Sequence, residues 1–262
     1  MNILLVYPEY PDTFWSFKYA LKFVSKKAAY PPLGLLTVAP LLPSDWEKKL
    51  VDLNIETLKN RDILWADYVF IGAMSIQMKS AMEVIERCIS HNKKIVAGGP
   101  LFTEDFEKFP MVDHLVLNEA EITLPLFLSD LEAENPQRIY HTADFADITK
   151  SPVPDYSLIK TSNYSSLSIQ YSRGCPFNCD FCDITALLGH KSRIKTTSQI
   201  ISELDNIYHL GWQANIFFVD DNFIGNKPVL KNDLLPKLIM WMQEHGNPFT
   251  FSTEVSINLA DD

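Results

Sequence analysis

The sequence predicts an α/β protein built on parallel sheets. Two observations carry that expectation. Short apolar runs bounded by Gly, Pro, Asn or Asp alternate with helical patterns along the first 141 residues, as fully buried parallel strands and their crossovers do. The alternation breaks once, over residues 142–166, where the text becomes rich in Pro, Ser and Asp, and then resumes. A length of 262 residues fits one large or two modest domains. With 47 % apolar and 21 % charged residues the chain is globular in composition.

Taken in order, the first strand covers 3–6 of MNILLVYP, which has no basic leader or cleavage site and so reads as a strand, not a signal peptide. Residues 14–28 form an insert in which Phe14, Phe17, Leu21 and Val24 make a helical stripe ahead of Lys26 and Lys27. That stripe predicts a helix covering the sheet edge, with closure over a ligand as the alternative. A helix over 33–42 follows Pro31-Pro32. Strands are expected at 50–53, 68–73, 94–97 and 114–117, and helices at 78–90 and 122–131. In the first of these helices Ala81, Val84, Ile85 and Cys88 recur at i, i+3, i+4 and i+7, which makes Cys88 a small core residue. Five strands with interleaved helices describe a flavodoxin-like, doubly wound domain over 1–141, whose ligand belongs beyond the C-terminal ends of the strands. Residues 142–166 read as a linker. Residues 167–262 then give strand 167–171, helix 197–210, strand 215–219, helix 229–245 and strand 249–255.

A net charge of −10 argues against binding a phosphate backbone through a general positive field. No apolar run approaches the roughly 20 residues needed to span a bilayer, and a cytoplasmic location is the default expectation. Three of the four cysteines fall within eight residues, in RGCPFNCDFCDI. This is metal or redox spacing and not a secreted disulfide framework. Cys175, Cys179 and Cys182 form CxxxCxxC directly after a predicted strand, so three thiolates on one loop can converge on three corners of an iron–sulfur cubane. A structural zinc would need a fourth ligand such as His190, and the spacing lacks the paired CxxC knuckles that zinc prefers.

This motif, with Phe181 before its last cysteine, resembles that of the radical S-adenosylmethionine (radical SAM) superfamily. The resemblance implies a [4Fe–4S] cluster on Cys175, Cys179 and Cys182. Its open iron is chelated by S-adenosylmethionine, which is cleaved reductively to a 5′-deoxyadenosyl radical. Such chemistry belongs to the cofactors, and the protein positions them. By the same resemblance Phe181 would pack near the adenine. Where the superfamily often has GGE, this chain has Asp220-Asp221-Asn222, so an ammonium contact by Asp220 or Asp221 stands beside the plainer reading of an acidic loop capping the next helix. Glu254, at the end of the third strand, is either a further cofactor contact or a paired carboxylate. Arg193 matches a recurrent basic position, with a surface salt bridge as its alternative.

A doubly wound domain ahead of a radical SAM domain resembles the cobalamin-binding subclass. Its DxHxxG, SxL and GG stretches correspond here to Asp52-Leu53-Asn54, Ser75-Ile76-Gln77 and Gly98-Gly99-Pro100. Asn54 replaces the cobalt-ligating histidine, which implies base-off cobalamin without a histidine lower ligand. Gly98 and Gly99 either admit a nucleotide tail or simply make a tight turn. Asn118-Glu119-Ala120-Glu121 stands for a commoner GExE form, which places Glu119 at the cobalamin face. The stretches YPEYPDTFWSF, KKAAYPPLGLLTVAPLLP and CPFNCDFCDITALLGHK are most similar to the branch that includes the hopanoid C-2 methylase. That branch implies a methyltransferase acting on an unactivated carbon of a lipid-like or other small molecule. It also implies an electron donor such as flavodoxin or ferredoxin, and a transient visit to the membrane surface if the substrate is a polycyclic lipid. Cyclisation, rearrangement or epimerisation, and a non-catalytic cobalamin- or metal-binding module, are the competing readings. Radical SAM domains have six βα units, so 167–262 is expected to be the first half of a partial barrel from a longer, truncated chain. Such a piece is expected to bind its cofactors weakly and not to turn over.

Overall fold

The computed structural model describes residues 1–13 and 18–256. Phe14 and Phe17 of the predicted stripe, and the chain after Ser256, lie outside the described residues.

Strands β1 (Asn2–Tyr7), β2 (Glu47–Asp52), β3 (Tyr68–Gly72), β4 (Lys94–Gly98), β5 (His114–Val116) and β6 (Ile139–Tyr140) form one parallel sheet in the order β2-β1-β3-β4-β5-β6. Strand β6 was not foreseen; at two residues it is too short to carry a periodicity. Helix α1 (Lys18–Phe23) follows β1, and the helices that cover this sheet are α2 (Leu33–Val38), α3 (Asn60–Trp65), α4 (Met78–Ser90), α5 (Pro100–Asp105) and α6 (Ala120–Glu132). Successive residues of β1 serve opposite faces. Ile3 and Leu5 belong to one core cluster, Leu4 and Val6 to the other, which is the doubly covered arrangement expected of parallel strands. Cys88 is fully buried on α4, among the second cluster. In α1 only Leu21 of the described stripe residues is buried. The helix stops at Phe23, which leaves Val24 exposed.

Beyond Tyr140, residues 142–166 run through three single 3₁₀ turns, and Tyr156 and Tyr164 are buried. A second parallel sheet follows, in the order β11-β10-β7. Its members are β7 (Leu167–Ile169), β10 (Asn215–Phe218) and β11 (Thr250–Thr253). Between β7 and β10 a small antiparallel ladder pairs β8 (Ser172–Arg173) with β9 (Arg193–Ile194) and closes the base of the cysteine loop. That loop carries α7 (Ile184–Leu188). Helix α8 (Thr197–His209) is started by a capping box between Thr196 and Gln199. The helix predicted over 229–245 is interrupted. It runs as α9 (Lys227–Val229), a π turn over Leu230–Leu234, and α10 (Leu235–Glu244). Pro236 has no N–H to donate, so the regular ladder cannot pass through that point. One core cluster contains residues of both sheets, from Ile3 and Phe70 to Ile169, Ile216 and Phe218, so the two sheets share a continuous apolar interior.

Candidate functional site

The cysteine loop leaves β8 through Gly174, at φ +90°. A Cβ there would lie 2.6 Å from the Lys191 carbonyl oxygen and 2.8 Å from that of Leu188, so only glycine lets the two ends of the loop close this tightly. The Cys175 N–H donates to the Gly189 carbonyl at 3.2 Å, and the Cys182 N–H to the Cys179 carbonyl at 3.1 Å. All three loop cysteines are free thiols, Cys179 exposed and the other two half-buried. Among the described residues no three His, Cys, Asp or Glu side chains surround a common metal position. His190 is exposed. Phe181 is 90 % exposed and packs on nothing that would make it part of the core.

Directly beneath the loop, the ends of β7 and β10 hold the acidic pair. Asp220 is buried and accepts the backbone N–H groups of Tyr171, at 3.2 Å, and of Ser172. Burial pushes its carboxyl up to about 6, against the lowering effect of those hydrogen bonds. Both of its oxygens are therefore engaged in fixing the turn into the cysteine loop, a use that the sequence did not reveal. Asp221 accepts the Gly174 N–H at 3.3 Å, and burial raises its carboxyl as well. The Asn222 side-chain amide donates to Ser256 at 3.0 Å while its Oδ1 is buried without a partner. Ser192 Oγ and the Tyr171 hydroxyl are likewise buried and unpartnered. Buried polar atoms left in this state mark a place where a polar group belongs. Glu254 is exposed, and its backbone carbonyl accepts the Phe223 N–H at 3.2 Å.

In the first sheet the chain leaves β1 toward β2 on one side and enters β3 on the other, so the topological switch point lies between β1 and β3. A dense network surrounds the Pro8 carbonyl at that point. Gln77, fully buried, donates to it at 2.5 Å and accepts the Met74 N–H at 2.8 Å. Asn54 donates to the same carbonyl at 3.3 Å and to Asp52 at 2.7 Å, and accepts the Tyr10 N–H at 2.9 Å. Its amide is thus spent on local structure. Asp52 is fully buried and also accepts the Tyr164 hydroxyl at 2.9 Å. Burial raises its carboxyl, and the Asn54 and Tyr164 hydrogen bonds oppose the rise. Ser75 donates to Glu104 at 2.5 Å. Met74 and Ile76 are exposed at the mouth.

Gly98 needs no ligand to explain it: a Cβ would sit 2.6 Å from the Val116 carbonyl oxygen, on the residue it pairs with in β5. Gly99, at φ +92°, is the residue that turns the chain into α5, which opens with Pro100.

Glu119 and Arg193, expected at separate cofactors with a salt bridge as the alternative for Arg193, pair with each other at 2.8 Å across the seam between the sheets. Arg193 also donates to the carbonyls of Ala146 at 2.6 Å and Leu188 at 2.9 Å, and stacks over Phe145. Sequence reading missed its companions. Arg173 bonds Glu119 at 2.6 Å and Glu121 at 3.0 Å. Burial would raise the Glu121 carboxyl, but Arg173 outweighs it and holds the group below its usual range. The position of Arg173, two residues before the first cysteine, was the available signal. A cleft of about 530 Å³ runs along this seam, lined by Asp144, Phe145, Leu188, Gly189, His190, Lys191 and Arg193.

No family model matches the chain. It is 46 % identical over 264 aligned residues to an uncharacterized methyltransferase of Synechocystis sp., covering 100 % of this chain and 49 % of that protein. It is 36 % identical over 264 residues to the hopanoid C-2 methylase of Rhodopseudomonas palustris, covering 99 % and 50 %. The chain therefore spans about half the length of these relatives. Among solved structures it resembles the cobalamin-dependent S-adenosylmethionine radical enzyme OxsB with aqua-cobalamin bound. That match has a TM-score of 0.73 and 19 % identity, and covers 95 % of this chain and 38 % of the other. It shows a shared fold. Among the described residues no helix is long and apolar enough to cross a membrane.

Proposed function

We propose, from its 36 % identity to the hopanoid C-2 methylase and its shared fold with a cobalamin-dependent radical enzyme, that the chain is the cofactor-binding half of a cobalamin-dependent radical SAM C-methyltransferase. One observation carries the reading: three free thiols sit on a single loop at the C-terminal ends of a parallel sheet, above a set of buried, unpartnered polar atoms. In this reading residues 1–141 hold cobalamin, 142–166 join the parts, and 167–262 begin the radical SAM domain.

The donor set fits an open-site cluster. Cys175, Cys179 and Cys182 supply three thiolates, and the Cys182–Cys179 backbone bond keeps the last two on one turn. When bound, the cluster and S-adenosylmethionine would supply reductive sulfonium cleavage, and cobalamin would supply the transferable methyl group. The chain's own residues orient these groups. Asp220 fixes the backbone at 171–172, Asp221 holds Gly174, and Asn222 Oδ1 and Ser192 Oγ offer polar atoms to a ligand beneath the loop. Phe181, free of the core, is available to cover an adenine. Asp221 and Glu254 keep carboxylates near the same mouth for an ammonium group.

At the other sheet the switch-point crevice, with Gly99 at the end of β4 and Ser75 near the mouth, receives the corrinoid. The Asn54 amide, bonded to Asp52, Pro8 and Tyr10, cannot ligate cobalt, which supports a base-off cofactor with no nitrogen ligand from that position. One relative is named for a hopanoid, which supports a lipid-like small molecule as substrate, with a flavodoxin- or ferredoxin-type electron donor and transient contact with a membrane surface for a polycyclic substrate.

The test is anaerobic iron and sulfide quantification with visible spectra, before and after adding S-adenosylmethionine, on wild type and Cys179→Ala. About four irons per chain in the wild type, a spectral response to S-adenosylmethionine, and loss of both in Cys179→Ala are expected. Zinc in place of iron, equal in both proteins, would overturn the proposal.

A further inference from the structure

The cofactor sites leave one buried charge cluster unexplained. Arg173 and Arg193 are cross-strand partners in the β8–β9 ladder that closes the cysteine loop. Both reach across the seam to Glu119, on the turn between β5 and α6, at 2.6 and 2.8 Å and on the same oxygen, Oε2. The other oxygen accepts the Ala146 N–H at 3.3 Å. Glu121 accepts from Arg173 at 3.0 and 3.1 Å, and Gln170 Oε1 accepts from it at 3.1 and 3.2 Å. The four side chains are only 3–14 % exposed. Buried ion pairs are a poor route to stability, since apolar residues of similar volume do as well or better. A cluster of this kind calls for another reason.

The same turn reaches the other cofactor face. Asn118 adopts φ +63°, and its N–H donates to Thr103 Oγ1 at 2.9 Å. Thr103 lies on α5, the helix that begins beside Gly98 and Gly99. An unbroken path of contacts therefore leads from the end of β4 through α5, Asn118 and Glu119 to both ends of the cysteine loop.

We propose that Glu119 is a positioning residue that couples the two cofactor sites, so that a corrinoid seated at the end of β4 and a cluster on the cysteine loop bind cooperatively through it. The inference rests on the function proposed above. A ligand that holds α5 and Asn118 in place holds Glu119 in place, and Glu119 holds both strands of the ladder that carries the loop. The second cofactor then meets a loop that is already ordered. Linkage makes the effect reciprocal.

The experiment titrates hydroxocobalamin into the chain by absorbance, with and without anaerobic cluster reconstitution, in wild type, Glu119→Gln, Arg193→Gln and the double variant. The wild type is expected to bind the corrinoid at least about 5-fold more tightly once the cluster is present, the lower end of ordinary allosteric coupling. In Glu119→Gln the coupling is expected to fall to within about twofold, whatever its affinity for each cofactor alone, and Arg193→Gln added to it is expected to change nothing more. The double variant leaves no unpaired guanidinium at position 193, so it remains informative if Glu119→Gln alone folds poorly. A wild type that takes up both cofactors without coupling, or coupling that survives in the variants, overturns the inference alone. A wild type that takes up neither cofactor overturns the proposed function with it.

Discussion

Replacing Gly98 by alanine separates two explanations of a glycine at a strand end. If the residue is glycine only so that a ligand can approach, the ligand-free protein should tolerate a methyl group there. The structure indicates otherwise. The added Cβ would lie 2.6 Å from the Val116 carbonyl oxygen, and relieving that contact to an ordinary 3.4 Å or more requires β4 and β5 to part by roughly 0.8 Å. The obstacle is backbone in a paired strand, Gly98 opposite Val116, not the flexible end of a side chain. Overpacking of this kind costs about 1–3 kcal/mol. For a chain of this size a loss of 2 kcal/mol corresponds to a Tm lower by about 4–8 °C. The assay is urea unfolding of the cofactor-free protein, with Gly34→Ala as control, because a Cβ at Gly34 meets nothing within 4 Å. A Gly98→Ala variant within about 0.5 kcal/mol of wild type would refute the reasoning and return the glycine to a purely ligand-driven role.

Two further outcomes are expected from the buried polar groups. Tyr164→Phe removes the hydroxyl that donates to fully buried Asp52 and should cost about 1–3 kcal/mol in denaturant unfolding; a change under 0.5 kcal/mol would show that the contact contributes nothing. Asp220 has its folded-state carboxyl raised to about 6 from an ordinary 3.8, so the folded protein holds that proton more tightly than the unfolded chain does. Its contribution to stability is full below about pH 4 and is lost as pH rises through about 6, an effect of order 2–3 kcal/mol. The stability difference between wild type and Asp220→Asn, followed by unfolding from pH 4 to pH 7.5, should therefore move against the wild type as pH rises. A flat difference would refute the assignment.

Much of the fold could be read directly from residues in a row. The helix over 78–90 was located by its own apolar stripe and the parallel strands by their own apolar runs, because 3.6- and short-run patterns are set by neighbours in sequence. The two-residue strands β6, β8 and β9 could not be found that way. Each exists only because a partner from elsewhere in the chain supplies its hydrogen bonds. The π turn ahead of Pro236 was not anticipated, since the apolar pattern over 229–245 reads as one continuous helix and does not say how the chain absorbs a missing N–H.

The candidate site divides along the same line. The sequence alone determined the CxxxCxxC thiol set, the parallel α/β architecture and the residues at the strand ends, all of which depend on local spacing. Which of those residues are spent on the protein itself was decided only by tertiary structure. Asn54 is consumed by Asp52, Pro8 and Tyr10, and Asp220 by the backbone at 171–172. Glu119 is consumed by arginines 54 and 74 residues away. A carboxylate or amide looks the same in sequence whether its lone pairs await a ligand or are already filled. Only the positions of distant donors distinguish the two cases, and folding sets those positions.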